Sequence, residues 1–232
     1  VATTTSEDPF EMTLDHELLD EEVDLLPLET SKRYSCTGSG ERIQVTPVLP
    51  DRPVVTRSDS PITVQPGEHA RIFVSTPLWV RMAERETGPA LEEIAIHRPT
   101  DTWFGPNTLE GELCYASRIV YRTHVEFVPR WPHRATTEVL VENRSDAALA
   151  VERMQLPVAH LSLYRAADGR LRTEPVTFRR TGADDFAELR LRDVSRATAR
   201  NVAAQMTRVS GPRKAADTNP VFRAFSTLFQ HP

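Results

Sequence analysis

Between residues 42 and 193 apolar side chains recur at every second position, in runs too short for helices and too often broken by proline to be anything but strands. "RIQVTPVLP", "PVVTR" and "PITVQPGEHARIFVSTPLWVRM" hold such runs, punctuated by prolines and a Pro66-Gly67 turn. "LEEIAIH" and "RIVYRTHVEFV" continue the pattern, the latter as one long strand. "ATTEVLVENRSDAALAVERMQL" reads as two strands joined by a turn from Asn143 to Asp146. "HLSLYRAADGRLRTEPVTFRR" reads as a hairpin cornered at Asp168-Gly169, and "DFAELRLRD" as a closing strand. Eight to ten strands with no intervening helix lack the crossovers of a doubly wound fold. They predict an all-β, antiparallel β-sandwich of jelly-roll or Ig-like type over residues 36–194, with a barrel as the alternative.

The two ends differ from this body. Residues 1–31 carry ten Asp/Glu and no Lys/Arg, residues 195–232 carry six Lys/Arg against one Asp, and the stretch between is neutral. Residues 1–35 therefore read as an acidic arm whose self-repulsion opposes independent folding, although Leu14, Leu18, Leu19, Val23, Leu25 and Leu26 fall at rough helical spacing. Residues 195–232 read as a basic, short helical tail. Ser195 caps "SRATARNVAAQMTRV", and Asn219-Pro220 opens a second helix with Phe222, Phe225, Leu228 and Phe229 on one apolar face. That face needs cover, either the sandwich itself, a partner or a membrane surface.

Chemistry-bearing patterns are scarce. The nine glycines include no phosphate-cradling loop, and no nucleophile–base pair is visible. His124 and Glu126 share a face with Arg122, and a charge ladder explains that trio better than a metal site. No metal or other cofactor is expected. Nucleic acid is disfavoured by the neutral body and acidic arm. The two cysteines, Cys36 and Cys114, stand 78 positions apart and read as buried free thiols, with a single bridge as the lesser option. No run is long enough to span a membrane, and no secretory leader opens the chain, so a cytoplasmic setting is expected.

One stretch stands out: "DTWFGPNTLEGELCY", from Asp101 to Tyr115. Gly105-Pro106-Asn107 is turn chemistry. Adjacent Trp103 and Phe104 must point to opposite faces if extended, so one enters the core and the other looks out. With Trp79 and Arg81 on the outward face of their strand, and Arg98, Asp101 and Asn107 nearby, a recognition surface of Trp79, Arg81, Arg98, Asp101, Trp103 and Asn107 is expected, binding rather than catalytic.

The pieces "RIFVSTPLWVR", "DTWFGPNTLEGELCYASR" and "VENRSDAALAVERMQLPVAHLSLY" resemble an uncharacterised prokaryotic family, domain of unknown function 432, over roughly residues 65 to 190. The resemblance carries no activity. Through the family's association with genes for small mechanosensitive channels, it implies an accessory role beside a membrane protein. The expected function is thus a non-enzymatic interaction module for a protein partner, with self-association as a variant. A small-ligand or carbohydrate binder using Trp79 and Trp103 as stacking platforms is the alternative.

Overall fold

A computed structural model describes residues 34, 43–84, 88–107, 109–182, 186–191, 206–214 and 221–226. Along the chain the strands are β1 (Gln44–Val48), β2 (Val54–Val64), β3 (His69–Pro77), β4 (Trp79–Ala83), β5 (Ala90–Ala95), β6 (Thr100–Phe104), β7 (Glu112–Ile119) and β8 (Arg134–Asn143). They continue with β9 (Leu149–Leu156), β10 (Leu163–Arg165), β11 (Leu171–Thr173), β12 (Val176–Arg180), β13 (Phe186–Leu191), β14 (Thr207–Ser210), β15 (Val221–Arg223) and β16 (Phe225–Ser226). Only two single-turn 3-10 helices occur among the described residues, Val125–Phe127 and Val158–His160. The all-β expectation therefore holds.

The strands fall into two units. In the smaller, β1, β4 and β5 form a three-stranded sheet in that order. Arg81 there donates to the Gly88 carbonyl at 3.3 Å and lies 3.8 Å from the Glu93 carboxylate, and the Tyr34 hydroxyl donates to Glu92.

The larger unit is a sandwich of two sheets. One runs β14-β10-β11-β8-β12-β13-β15 with β3 on the other side of β8; the second runs β16-β9-β2-β7-β6. Alternation places Ile72, Val74, Val139, Val141 and Phe178 of the first sheet, and Val54, Met154, Leu156 and Phe225 of the second, fully inside. Each contributes about 1.5–3 kcal/mol of apolar burial. Phe178 and Phe225 meet edge to face, with centroids 5.8 Å apart. Thr56 and Tyr121 are inside too, joined by hydroxyls 3.1 Å apart.

The corner between β8 and β9, where the chain leaves one sheet for the other, is built by buried Asn143. Its amide donates to the Val64 carbonyl at 2.9 Å and the Ala147 carbonyl at 2.8 Å, and its oxygen accepts from the Ser145 hydroxyl at 2.7 Å. The Asp168-Gly169 corner forms as expected between β10 and β11, with Gly169 at φ 78°.

The antiparallel sandwich holds with one refinement, and two expectations need correction. The sheets are mixed, since β2 pairs with β7, and β8 with both β11 and β12, in parallel. The connections switch sheets, so parallel neighbours arise without helical crossovers. "RIVYRTHVEFV" is not one strand: β7 stops at Ile119, a single bridge joins Arg122 to Phe73, and Val125–Phe127 is a 3-10 turn. Arg170 holds that turn by donating to the Val125 and Val128 carbonyls at 2.6 and 3.3 Å. His124 and Glu126 therefore never form the ladder with Arg122. Finally, the helical tail is not found where it is described. Thr207–Ser210 pairs with β10, Val221–Arg223 with β13, and Phe225–Ser226 with β9, all as strands. Backbone partners along sheet edges outweigh the helical spacing of the phenylalanines. Ser195 and the ten residues after it, with Asn219, Pro220, Leu228 and Phe229, lie outside the described residues, as does most of the acidic arm.

Candidate functional site

The β6–β7 hairpin presents the most unusual surface in the larger unit. Trp103 and Leu113 are directly opposed across the two strands, and both stay exposed, by 43% and 42%. Leu109 in the connecting loop is 93% exposed. Phe104, next in chain to Trp103, is the buried one: it packs with Val55 and Cys114.

The loop is tightly constructed. The Trp103 indole N–H donates to the Asn107 carbonyl at 2.7 Å. The Asn107 side-chain oxygen accepts from the backbone N–H of Leu109 and of Glu110, both at 2.8 Å. Gly105 is required because the loop crosses itself there: a Cβ would sit 2.0 Å from the Glu110 carbonyl oxygen. With its one polar handle bonded inside the loop, Trp103 offers the outside an apolar ring on a fixed frame.

A polar layer lies beside it. Asp101 forms an ion pair with Arg52 at 3.4 Å. Arg52 also covers the ring of Tyr115, the strand partner of Asp101, at 5.2 Å. The Tyr115 hydroxyl donates to Asp51 at 2.9 Å. Burial, then the bond and charge of Asp51, push that phenol up to about 12. Trp79 packs on Tyr115, centroids 5.8 Å apart, and Arg213 lies 5.9 Å above the Trp79 ring. Arg213 and Lys214 in turn donate their backbone N–H groups to the Ala159 carbonyl.

Of the expected surface, Asp101, Trp103 and Asn107 do share one hairpin. Trp79 is half-buried behind it, already stacked and covered. Arg98 is exposed on the approach to β6, and Arg81 belongs to the smaller unit. In the tail, Phe225 is a core residue. Phe222 is on β15, where the backbone alone is described. Arg52 carried no signal in the sequence, and the period-two spacing of Leu109, Leu113 and Tyr115 suggests a return to the core that only Tyr115 makes, both leucines staying exposed.

A second aromatic surface follows β7. Phe127 and Trp131 are exposed, and Trp131, His133 and His97 adjoin in series at 5.6 and 4.6 Å. Burial, His97 and Arg134 hold His133 below the usual histidine range. Among the described residues no three His, Cys, Asp or Glu side chains gather as metal ligands. No helix among those residues is long and apolar enough to cross a membrane. Cys114 is a buried free thiol.

The family described as Protein of unknown function (DUF432) matches residues 12–230, nearly the whole chain. No curated protein and no solved structure matches.

Proposed function

Because the chain belongs to the DUF432 family of proteins of unknown function, we propose its role from its own surface: a non-enzymatic accessory module that binds a protein partner through the β6–β7 hairpin. The observation that carries this reading is the exposed Trp103–Leu113 pair on a loop whose internal bonds already satisfy the indole N–H. Tryptophan is among the residue types most enriched at interface hot spots, and the adjoining exposed leucines widen the apolar patch around it. The rim of Asp101 and Arg52 supplies orientation rather than affinity. The partner is a protein offering an apolar cleft. A membrane protein, met at the cytoplasmic surface, is the class to which the family's association with channel genes points.

The carbohydrate-binding alternative has less support. It needs Trp79 as a platform beside Trp103, and the Trp79 ring packs on Tyr115 with Arg213 above it.

The test is a photo-cross-linker at position 109 of the full chain, activated in the native host. A discrete protein adduct that disappears in the Trp103→Ala background is expected. Adducts that do not depend on Trp103 would remove the hairpin from the interface, and an adduct with a second copy would replace the accessory role by self-association.

A further inference from the structure

On the outer face of the five-stranded sheet, three arginines stand in one row across three neighbouring strands. Arg57 of β2 is in register with Arg118 of β7 on one side and with Arg153 of β9 on the other. All three point outward. Their chain neighbours Thr56, Ser58, Ser117 and Met154 are buried, and alternation puts the arginines on the opposite side. The strands lie about 4.8 Å apart. Like charges directly opposed across strands destabilise a sheet, and guanidinium groups cannot relieve this by losing a proton.

Among the described residues the carboxylates at hand are too few to compensate. Asp59, on the bulge after Arg57, binds Arg118 at 2.9 Å. Among the described residues, Arg57 has no carboxylate partner. Arg153 is held in place instead: its guanidinium lies 5.4 Å over the Phe104 ring and donates to the Trp103 carbonyl at 3.5 Å. Burial and the charge of Arg57 both press on it, moving its pKa below the ordinary arginine value. One arginine is thus clamped to a carboxylate, one is fixed by an aromatic ring and a carbonyl, and the central one meets no carboxylate among the described residues.

We propose that Arg57, Arg118 and Arg153 form a binding site for an oxyanion of the phosphate class. A tetrahedral dianion accepts from several guanidinium forks at once and offsets the repulsion along the row, where a single carboxylate engages one fork. The row is short and flanked by acid: Asp59 lies at Arg118, and Glu112 is bonded at 2.7 Å to Gln155, the partner of Val55 two positions from Arg57. That suits one phosphate group rather than a polyanion, which needs a long basic stripe. The site is independent of the hairpin reading, since its variants leave Trp103, Leu109 and Leu113 in place.

Thermal melts and calorimetry on the full chain, with inorganic phosphate as the probe and chloride at matched ionic strength, test it. Wild type is expected to gain about 3–6 °C at 10 mM phosphate. Arg57→Gln is expected to lose that gain and, without phosphate, to melt about 1–3 °C above wild type, because the repulsion is gone. Arg71→Gln, on the other sheet, is expected to respond as wild type. Flotation with phosphatidic acid vesicles separates sources: Arg57-dependent capture added to the phosphate response marks a lipid headgroup, and a phosphate response alone marks a soluble ligand. The proposal fails if phosphate does no more than chloride, if Arg57→Gln responds fully, if Arg71→Gln loses the response equally, or if vesicles bind without any phosphate response.

Discussion

Gly111 lies against the indole of Trp103. A Cβ built on it would stand 2.7 Å from the indole nitrogen and equally close to the Phe104 carbonyl oxygen. Gly111→Ala must therefore displace either the exposed ring or a backbone strand. We expect a loss of about 1–3 kcal/mol in urea unfolding, with a shift in Trp103 emission. Gly67→Ala is the control: its φ of +79° is strained for alanine but nothing lies within 4 Å of the new carbon, so it should cost about 1 kcal/mol and leave Trp emission unchanged. Equal emission in both variants would contradict the packing described.

Alkaline stability should follow Tyr121. Burial pushes its hydroxyl up to about 12, against a partial pull from its bond to Thr56, and Tyr115 is raised likewise. Both phenols ionise near 10 in the unfolded chain. A raised folded value means that the contribution is complete below pH 10 and is lost as pH climbs toward 12. Tyr121→Phe should cost about 0.5–1.5 kcal/mol at neutral pH through its bonds to Thr56. It should also flatten the fall in melting temperature between pH 10 and 12. An unchanged slope would show that Tyr121 does not titrate with unfolding.

Phe225 is expected to be a folding residue. Fully buried and packed on Phe178, it should cost about 3–5 kcal/mol on replacement by alanine. Chemical denaturation measures this. A change below about 1 kcal/mol would return Phe225 to the role of an exposed partner contact.

Cys114 should be chemically silent. Burial, with Glu112 beside it, lifts the thiol to about 12, and the bond from Gln155 and the charge of Arg153 do not offset this. In a Cys36→Ser background, thiol labelling at pH 8 should proceed only at the rate of unfolding. Rapid stoichiometric labelling of native protein would mean that the cluster of Val55, Phe104 and Cys114 is open.

The strands, the Asp168-Gly169 corner and the opposed fates of Trp103 and Phe104 were legible because each follows from side-chain alternation and turn chemistry within a few residues. Pairing was not. Arg57, Arg118 and Arg153 are 61 and 35 positions apart in sequence, and only the register of three strands lines them up. Pro77 precedes Leu78 and Trp79 as prolines precede other runs of this chain, so nothing local announced Arg213 arriving over Trp79. The tail failed for a related reason. Phenylalanines at i and i+3 satisfy a helix face, yet Phe225 meets a vacant backbone on β9, and long-range hydrogen bonding decided the matter.

The order in which β9 finds its neighbours has a consequence for synthesis. This strand pairs with β2, about a hundred positions earlier, and with β16, some seventy later. Until residue 119 has been made β2 has neither neighbour, from there to residue 148 it has only β7, and the five-stranded sheet cannot close until residue 226 has emerged. Such pairings make for slow maturation. Nascent chains stalled before residue 221 should remain open to protease, and protection at that length would mean that the sheet closes without its last strand.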